Sequence, residues 1–150
     1  MAPQPNGYSI TRESMPTTST PPGRVRLAVG FAAAALQVLS GVVHSIVGWP
    51  AMTKAFGSTN APTALVQGLA VPWHFAGLSM VTFGVIVAMT LWRATQRAEE
   101  SLATVMVIGA VYVVFGLVGL ALTGADATLL MFLVPGVMLV ATAWRPRVTA

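Results

Sequence analysis

The sequence predicts an all-α polytopic membrane protein: an antiparallel bundle of four transmembrane helices with a disordered N-terminal tail. Three observations support this fold class. The 150-residue chain is 55% hydrophobic and only 8% charged, whereas about a quarter of the residues in a soluble domain are charged. Its mean hydropathy is +0.77. Its apolar residues form long runs separated by short polar segments, so lipid is expected to surround most of the chain.

The first 24 residues differ in composition from the rest of the chain. Segment 1–24 is rich in Pro, Ser and Thr and has almost no apolar clustering. It cannot bury enough surface to offset the entropy lost on ordering, so we expect a disordered cytoplasmic tail. A cleaved signal peptide is not expected, because the apolar run that follows is longer than the core of a signal peptide.

Segment 25–147 is predicted to be one transmembrane domain, because roughly 20 apolar residues suffice to cross the hydrocarbon core of a bilayer. The expected spans are about 25–48, 73–92, 102–122 and 127–144. Pro50 is expected to end the first helix, and the mixed segment 49–72 is expected to form an outer loop. Within that loop, 64–70 has the composition of a short interfacial or re-entrant helix.

The basic residues predict the orientation of these spans. With the N-terminus inside, seven arginines lie on the cytoplasmic side and Lys54 alone lies outside, as the positive-inside rule requires. Tryptophans favour the membrane–water interface. Trp49 and Trp73 mark the expected outer interface, and Trp92 and Trp144 the inner one. The protein is therefore expected in the cytoplasmic membrane of a bacterium, with both termini in the cytoplasm.

Charge distribution and missing residue types exclude several function classes. The formal net charge is +4, but the arginines flank apolar runs singly or in pairs, so no nucleic-acid partner is expected. The chain has no cysteine, which removes disulfides, thiolate catalysis and Cys-ligated metal centres. No Ser/His/Asp, phosphate-loop, dinucleotide or paired-carboxylate signature occurs. These absences favour a protein that is not an enzyme.

The two histidines of the chain lie in similar surroundings near the expected outer interface. His44 lies within LQVLSGVVHSIVGWP and His74 within VPWHFAG. At about 100° per residue, His44 shares a helix face with Gly41 and Gly48. If the glycine faces are the packing faces, both imidazoles point into the bundle, which is the usual place for ionisable groups within a membrane.

Four further residues complete the candidate ligand-binding set. Gln37 lies two turns before His44 and extends a polar stripe along the first helix. Asp126 is the only acidic residue on the expected outer side, where it connects the third and fourth spans. Trp49 and Trp73 accompany the two histidines at the same interface.

Several interpretations of the histidine pair are open at this level. Two imidazoles on facing helices can ligate the iron of a b-type haem. With Asp126, they can instead bind copper or zinc, or relay a proton to a quinone. A third interpretation is a site for a small apolar ligand. In a fourth, His44 and His74 are structural residues, hydrogen-bonded within the bundle or solvated at the interface.

Two segments carry a resemblance to known proteins. GVVHSIVGWP with AFG at 41–57, and WHFAGLS at 73–79, resemble segments of small bacterial four-helix integral membrane proteins. They are also loosely similar to DoxX-like proteins, whose first helix has a comparable histidine and glycine ending. The resemblance covers the first two helices and the topology, and it carries no site residue over. It implies a small subunit or accessory of a membrane redox or stress system.

The sequence thus predicts a small integral membrane protein that acts through partners or holds a small apolar ligand. Its glycine-lined helix faces allow the close approach on which helix association in lipid depends, so the partner is either another membrane protein or a second copy of the chain. The alternative is a haem-, metal- or quinone-linked redox protein that uses His44 and His74.

Overall fold

The computed structural model describes residues 23–97, 100–124 and 126–144. Its helices are α1 (Arg24–Val43), α2 (Trp49–Ser58), α3 (Thr63–Gln96), α4 (Ala103–Thr123) and α5 (Leu130–Ala143). A π-helical turn, His44–Gly48, joins α1 to α2, and a 3-10 turn, Ala127–Leu129, precedes α5. None of the described residues lies in a strand. The predicted all-α class is confirmed for these residues, whereas nearly all of the predicted tail lies outside them.

Among the described residues, three helical stretches are long and apolar enough to cross a membrane. They are Arg24–Ser58 with 35 residues, Thr63–Gln96 with 34 and Ala103–Thr123 with 21. The stretch Ala127–Ala143 is also apolar but shorter. These lengths are compatible with a membrane protein, since about 20 helical residues span the hydrocarbon core.

The first helix does not end at Pro50, which corrects the prediction. The backbone stays helical through the π-helical turn and continues as α2 to Ser58. A proline removes one amide donor and its ring crowds the carbonyl four residues earlier. The wider π-helical turn lies directly before Pro50, at the position where this crowding would otherwise interrupt the helix.

The predicted outer loop at 49–72 is mostly helical as well. Only 59–62 separate α2 from α3, and Asn60 there has φ 52°, a left-handed conformation that asparagine adopts more readily than most residues. The segment 64–70 belongs to the first turns of α3, which continues through Pro72. The backbone is helical on both sides of Pro50 and of Pro72, so neither proline breaks its helix.

The helices pack in the order α3, α1, α5, α4, and a smaller contact between α3 and α4 joins the ends of this series. α1 and α3 are antiparallel. Gly30, in the first half of α1, lies next to Leu91 near the end of α3, and Gly41, near the end of α1, lies next to Gly77 in the first half of α3. A Cβ atom added to Gly41 would lie 2.5 Å from the carbonyl oxygen of Gly77. Glycine at this position therefore sets the distance between the two helices.

Arg26 joins the start of α1 to the end of α5. Its guanidinium donates to the carbonyl oxygen of Thr142 at 2.7 Å and also to that of Trp144. In return, the Thr142 hydroxyl lies 3.3 Å from the carbonyl oxygen of Arg26. The last carbonyl groups of a helix have no hydrogen-bond donor within that helix. At the end of α5, the Arg26 guanidinium supplies the donor for two such carbonyl groups.

Candidate functional site

The candidate site lies where the π-helical turn meets the first half of α3. His44 is the first residue of the turn, and Trp73 follows Pro72 inside α3. The imidazole and indole rings are stacked, with centroids 4.2 Å apart and planes inclined by 11°. The indole Nε1 of Trp73 donates to the carbonyl oxygen of His44 at 2.9 Å. Ring stacking and a hydrogen bond thus hold the two helices together here.

Trp49 extends this contact into an aromatic cluster. Its ring centroid lies 6.0 Å from that of Trp73 and 5.6 Å from that of His74. Gly48 makes room for the cluster, because a Cβ atom on Gly48 would lie 3.0 Å from Cζ2 of Trp73. Any larger residue at this position would press on the indole ring.

A cavity of about 270 Å³ lies beside the cluster. Its lining residues come from the π-helical turn, α2 and α3, and they are His44, Trp49, Met52, Phe56, Leu69, Pro72, Trp73 and Ala76. Small-molecule sites usually enclose roughly 300–1,000 Å³, so this cavity of about 270 Å³ lies just below that range. It suits a single ring, or the end of a longer apolar molecule.

His44 is one of the residues that line this cavity, and it also carries a buried polar atom. Its side chain is partly buried, and its Nε2 atom is buried without a hydrogen-bond partner among the described residues. A buried polar atom left unsatisfied typically costs about 1–3 kcal/mol. An imidazole nitrogen accepts or donates a hydrogen bond according to its tautomer, so either a hydroxyl or a carbonyl group of a ligand can satisfy it.

His74 does not point into the bundle, which corrects the prediction for this residue. Its side chain is exposed and its nearest ring is that of Trp49. The prediction followed from Gly77, which is indeed buried against Gly41. His74 lies about 60° around the helix from Gly77, and this angle places it outside the packed face. The structure therefore pairs each histidine with a tryptophan rather than with the other histidine.

Asp126 stabilises a turn and does not line the cavity. Its Oδ1 accepts hydrogen bonds from the backbone N–H of Thr128 at 2.9 Å and from the Thr128 hydroxyl at 2.8 Å. These bonds, the backbone one foremost, hold the pKa of the Asp126 carboxyl below its usual value. The carboxylate is thereby engaged at the start of the 3-10 turn.

Gln37 is buried in the bundle core, apart from the cavity. Its side chain is 0% exposed, and neither atom of its amide group has a hydrogen-bond partner within the described residues. Gly41, packed against Gly77, lies between Gln37 and His44 along α1. The predicted polar stripe therefore consists of two separate polar positions.

The arrangement does not favour the metal and haem interpretations. Among the described residues, no three His, Asp or Glu side chains lie together as a potential metal site. A haem held between two imidazoles needs both rings to face one space, whereas His74 is exposed beside Trp49. The geometry favours a site that uses His44 alone.

Sequence reasoning missed the cavity wall that α2 and the start of α3 provide. The sequence predicts a loop at Met52 and Phe56, and a separate short helix at Leu69. The available signal was the spacing of Trp49, Met52 and Phe56, which recur at three- and four-residue intervals as on one face of a helix. The expected break at Pro50 obscured this pattern.

Comparison with known proteins adds no assignment to this geometry. The chain matches no protein-family model, no curated protein and no solved structure. The resemblance to small bacterial four-helix membrane proteins, and more loosely to DoxX-like proteins, stays a prediction.

Proposed function

We propose that the protein is an integral membrane protein that binds a small, mainly apolar ligand beside His44 and Trp73. The observation that carries this proposal is the buried, unpaired Nε2 of His44 in a residue that lines an otherwise largely apolar cavity of about 270 Å³. Binding sites for small molecules commonly combine apolar walls with a few polar groups that fix the orientation of the ligand. The cavity has this composition.

The outer surface of the helices supports the membrane part of the proposal. Large apolar side chains are exposed there, including Phe75 at 69% and Leu122 at 80%. Soluble monomers rarely expose extensive apolar patches, whereas lipid is a suitable solvent for them. We infer an antiparallel bundle of four spans, in which Ala127–Ala143 is the shortest.

The basic residues support an orientation with both termini in the cytoplasm. Arg26, Arg93 and Arg97 belong to one end of the helices, and Lys54 belongs to the other. Cytoplasmic ends of transmembrane helices are enriched in Lys and Arg. The His44 cavity then lies on the outer side of a bacterial cytoplasmic membrane, within reach of ligands from the outer leaflet.

The lining indicates the class of ligand. Aromatic walls favour a flat ring, which gains from stacking and edge contacts, and the Nε2 atom of His44 favours one carbonyl or hydroxyl group on that ring. A molecule of this kind is a substituted quinone or phenol, either free or as the head of a longer lipid.

Ligand binding can be measured by quenching of tryptophan fluorescence. The protein, with Trp92 and Trp144 changed to Phe, is placed in lipid nanodiscs and titrated with trimethylbenzoquinone. We expect saturable quenching, and an affinity about tenfold lower in His44→Ala, because the variant loses one hydrogen bond in a buried site. His74→Ala is the matched control and should bind normally. Trimethylbenzene, which lacks the carbonyl groups, should bind wild type and His44→Ala equally weakly.

Equal affinity of the wild type and His44→Ala for trimethylbenzoquinone would contradict the proposal. The redox alternative is tested on the same sample by its absorption spectrum and metal content. A Soret band, or a stoichiometric metal, that is lost in His44→Ala would replace the proposed function by a haem- or metal-linked one.

A further inference from the structure

An apolar groove runs between α1 and α3 on the surface of the bundle, apart from the His44 cavity. Its volume is about 570 Å³, and its lining residues are all apolar. The close approach of the two helices forms its floor, since a Cβ atom on Gly84 would lie 2.8 Å from the carbonyl oxygen of Ala34. Its edges are exposed side chains, Leu39 on α1 and Val85 and Met89 on α3. The groove is therefore open to whatever surrounds the bundle.

A polar pocket of about 550 Å³ lies next to the apolar groove, at the end of α3. It is lined by Trp92, Arg93, Gln96, Arg97 and Glu100. Arg93 lies one turn after Met89, which lines the groove, and residues four apart on a helix are surface neighbours with Cβ atoms about 5–6 Å apart. Around the helix axis, Arg93 lies about 40° and Gln96 about 20° from Met89. The apolar groove and the polar pocket are therefore consecutive parts of one surface.

The length of this surface matches one leaflet of a bilayer. Gly84 is the first residue of α3 that lines the apolar groove, and Arg93 lines the polar pocket. Between these two residues α3 rises about 14 Å, at about 1.5 Å per residue. The hydrocarbon core of a bilayer is about 30 Å thick, so one leaflet contributes about half of that. The apolar part of the surface thus has the depth of a single acyl-chain layer.

The charge of the polar pocket favours an anion beside this acyl-chain layer. In the described part of the chain, two arginines and the acidic Glu100 line the pocket, so the lining is basic on balance. The planar guanidinium group of arginine binds phosphate through two parallel hydrogen bonds. Basic pockets at the cytoplasmic ends of transmembrane helices commonly bind anionic lipid headgroups. In the proposed orientation, Arg93 and Arg97 lie at that end.

We propose that this surface binds one anionic phospholipid of the inner leaflet. One acyl chain lies in the apolar groove, and the phosphate group lies between Arg93 and Arg97. A soluble phosphate compound would engage the arginines but leave the groove open, and a zwitterionic lipid would fill the groove but bring no net charge to the arginines. An anionic phospholipid matches both parts. The inference rests on the membrane part of the proposed function and is independent of the His44 cavity.

Native mass spectrometry tests the headgroup. The protein in detergent is mixed with equal concentrations of dioleoyl phosphatidylglycerol and dioleoyl phosphatidylethanolamine. We expect the wild type to retain phosphatidylglycerol preferentially. Arg93→Gln and Arg97→Gln should each reduce this preference about fivefold, which is the usual contribution of one basic residue near an anionic lipid. Glu100→Gln removes a negative charge from the pocket and should increase the preference.

Lys54→Gln is the matched control for the arginine variants. It removes one positive charge from the opposite end of the helices and should keep the wild-type preference. Equal retention of the two lipids by the wild type would overturn the proposal. An unchanged preference in both arginine variants would overturn it as well.

A second variant tests the position of the acyl chain. Ala35 lines the apolar groove and is exposed, so Ala35→Trp places an indole ring in the groove without crowding the core. We expect this variant to retain less of both lipids. Ala121→Trp changes an exposed alanine of α4 and should retain both lipids normally. Normal retention in Ala35→Trp would overturn the placement of the chain in the groove.

An alkaline carbonate wash of membranes separates this inference from the proposed function. A chain that stays in the washed membranes but shows no preference for phosphatidylglycerol would overturn the lipid site alone. A chain that is washed out would overturn the membrane proposal together with the lipid site. His44 lines neither the apolar groove nor the polar pocket, so His44→Ala should keep the lipid preference. Loss of the preference in this variant would contradict the independence of the two sites.

Discussion

Trp73 acts on His44 through two different groups. Its ring stacks on the imidazole, and its Nε1 donates to the carbonyl oxygen of the same residue. The hydrogen bond fixes the indole relative to the backbone of the π-helical turn, and the stacking fixes the imidazole relative to the indole. The orientation of the His44 side chain therefore depends on a single tryptophan of α3.

Trp73→Phe separates these two contributions, because it retains an aromatic ring but removes the donor. We expect a loss of stability of about 1 kcal/mol, equivalent to a fall of about 2–4 °C in melting temperature. Binding of trimethylbenzoquinone should weaken as well. Circular dichroism in detergent measures the first effect. Trp92→Phe changes an exposed tryptophan of the same helix and should leave the melting temperature unchanged, so equal melting temperatures of the two variants would contradict this role.

Asp126 gives the protein a specific acid response. Its pKa is lowered in the folded state, foremost by the backbone N–H of Thr128, so the ionised carboxyl favours folding. This contribution is present above the usual pKa and is lost as the pH falls through the lowered one. The melting temperature of the wild type should exceed that of Asp126→Ala at neutral pH, and the difference should shrink below about pH 4. A difference that widens in acid would contradict this assignment.

At the scale of the helices, close glycine contacts define the packing of α1 on α3. A Cβ atom on Gly41 would meet the backbone of Gly77, and a backbone atom cannot move away as a flexible side chain can. Gly41→Ala should therefore push the helices apart at a cost of about 1–3 kcal/mol. Thermal unfolding measures this loss.

Gly57 in α2 provides the control for this substitution, because nothing lies within 4 Å of the position its Cβ would take. Gly57→Ala should be neutral or slightly stabilising, since alanine favours helix over glycine by about 1 kcal/mol. A similar loss of stability in both variants would show that the contact between α1 and α3 does not govern the effect.

The helices could largely be predicted from the sequence, but the site only in part. Long apolar runs indicate helices because a run of about 20 apolar residues has the length and composition of a membrane-spanning helix. Pro50 misled the prediction, because a proline disturbs one turn and the next residues can resume the helix. The predicted inward orientation of His74 was wrong, because a rotation of about 60° around the helix axis separates the buried Gly77 from the exposed His74. The stacking of His44 on Trp73 depends on the distance between two helices, which no local pattern encodes.

The whole molecule has a proposed orientation that can be tested by fusions. Green fluorescent protein at Ala150 should fluoresce, because it folds in the cytoplasm. Alkaline phosphatase inserted after Asn60, between α2 and α3, should be active, because it requires export. A phosphatase inserted after Gln96 is the control and should be inactive. An active phosphatase at Gln96 together with an inactive one at Asn60 would reverse the orientation.

For the proposed insertion into a membrane, the unequal lengths of the helices have a consequence for the bilayer. Arg24–Ser58 contains 35 residues and rises about 52 Å at 1.5 Å per residue. The stretch Ala127–Ala143 is only about 26 Å long at the same rise per residue. This length is less than the roughly 30 Å of a typical hydrocarbon core. Such hydrophobic mismatch is relieved by local thinning of the lipid. In the proposed membrane orientation, the α4–α5 side of the protein would therefore favour thinner membrane regions, while the end formed by α2 and the start of α3 would project beyond the headgroups.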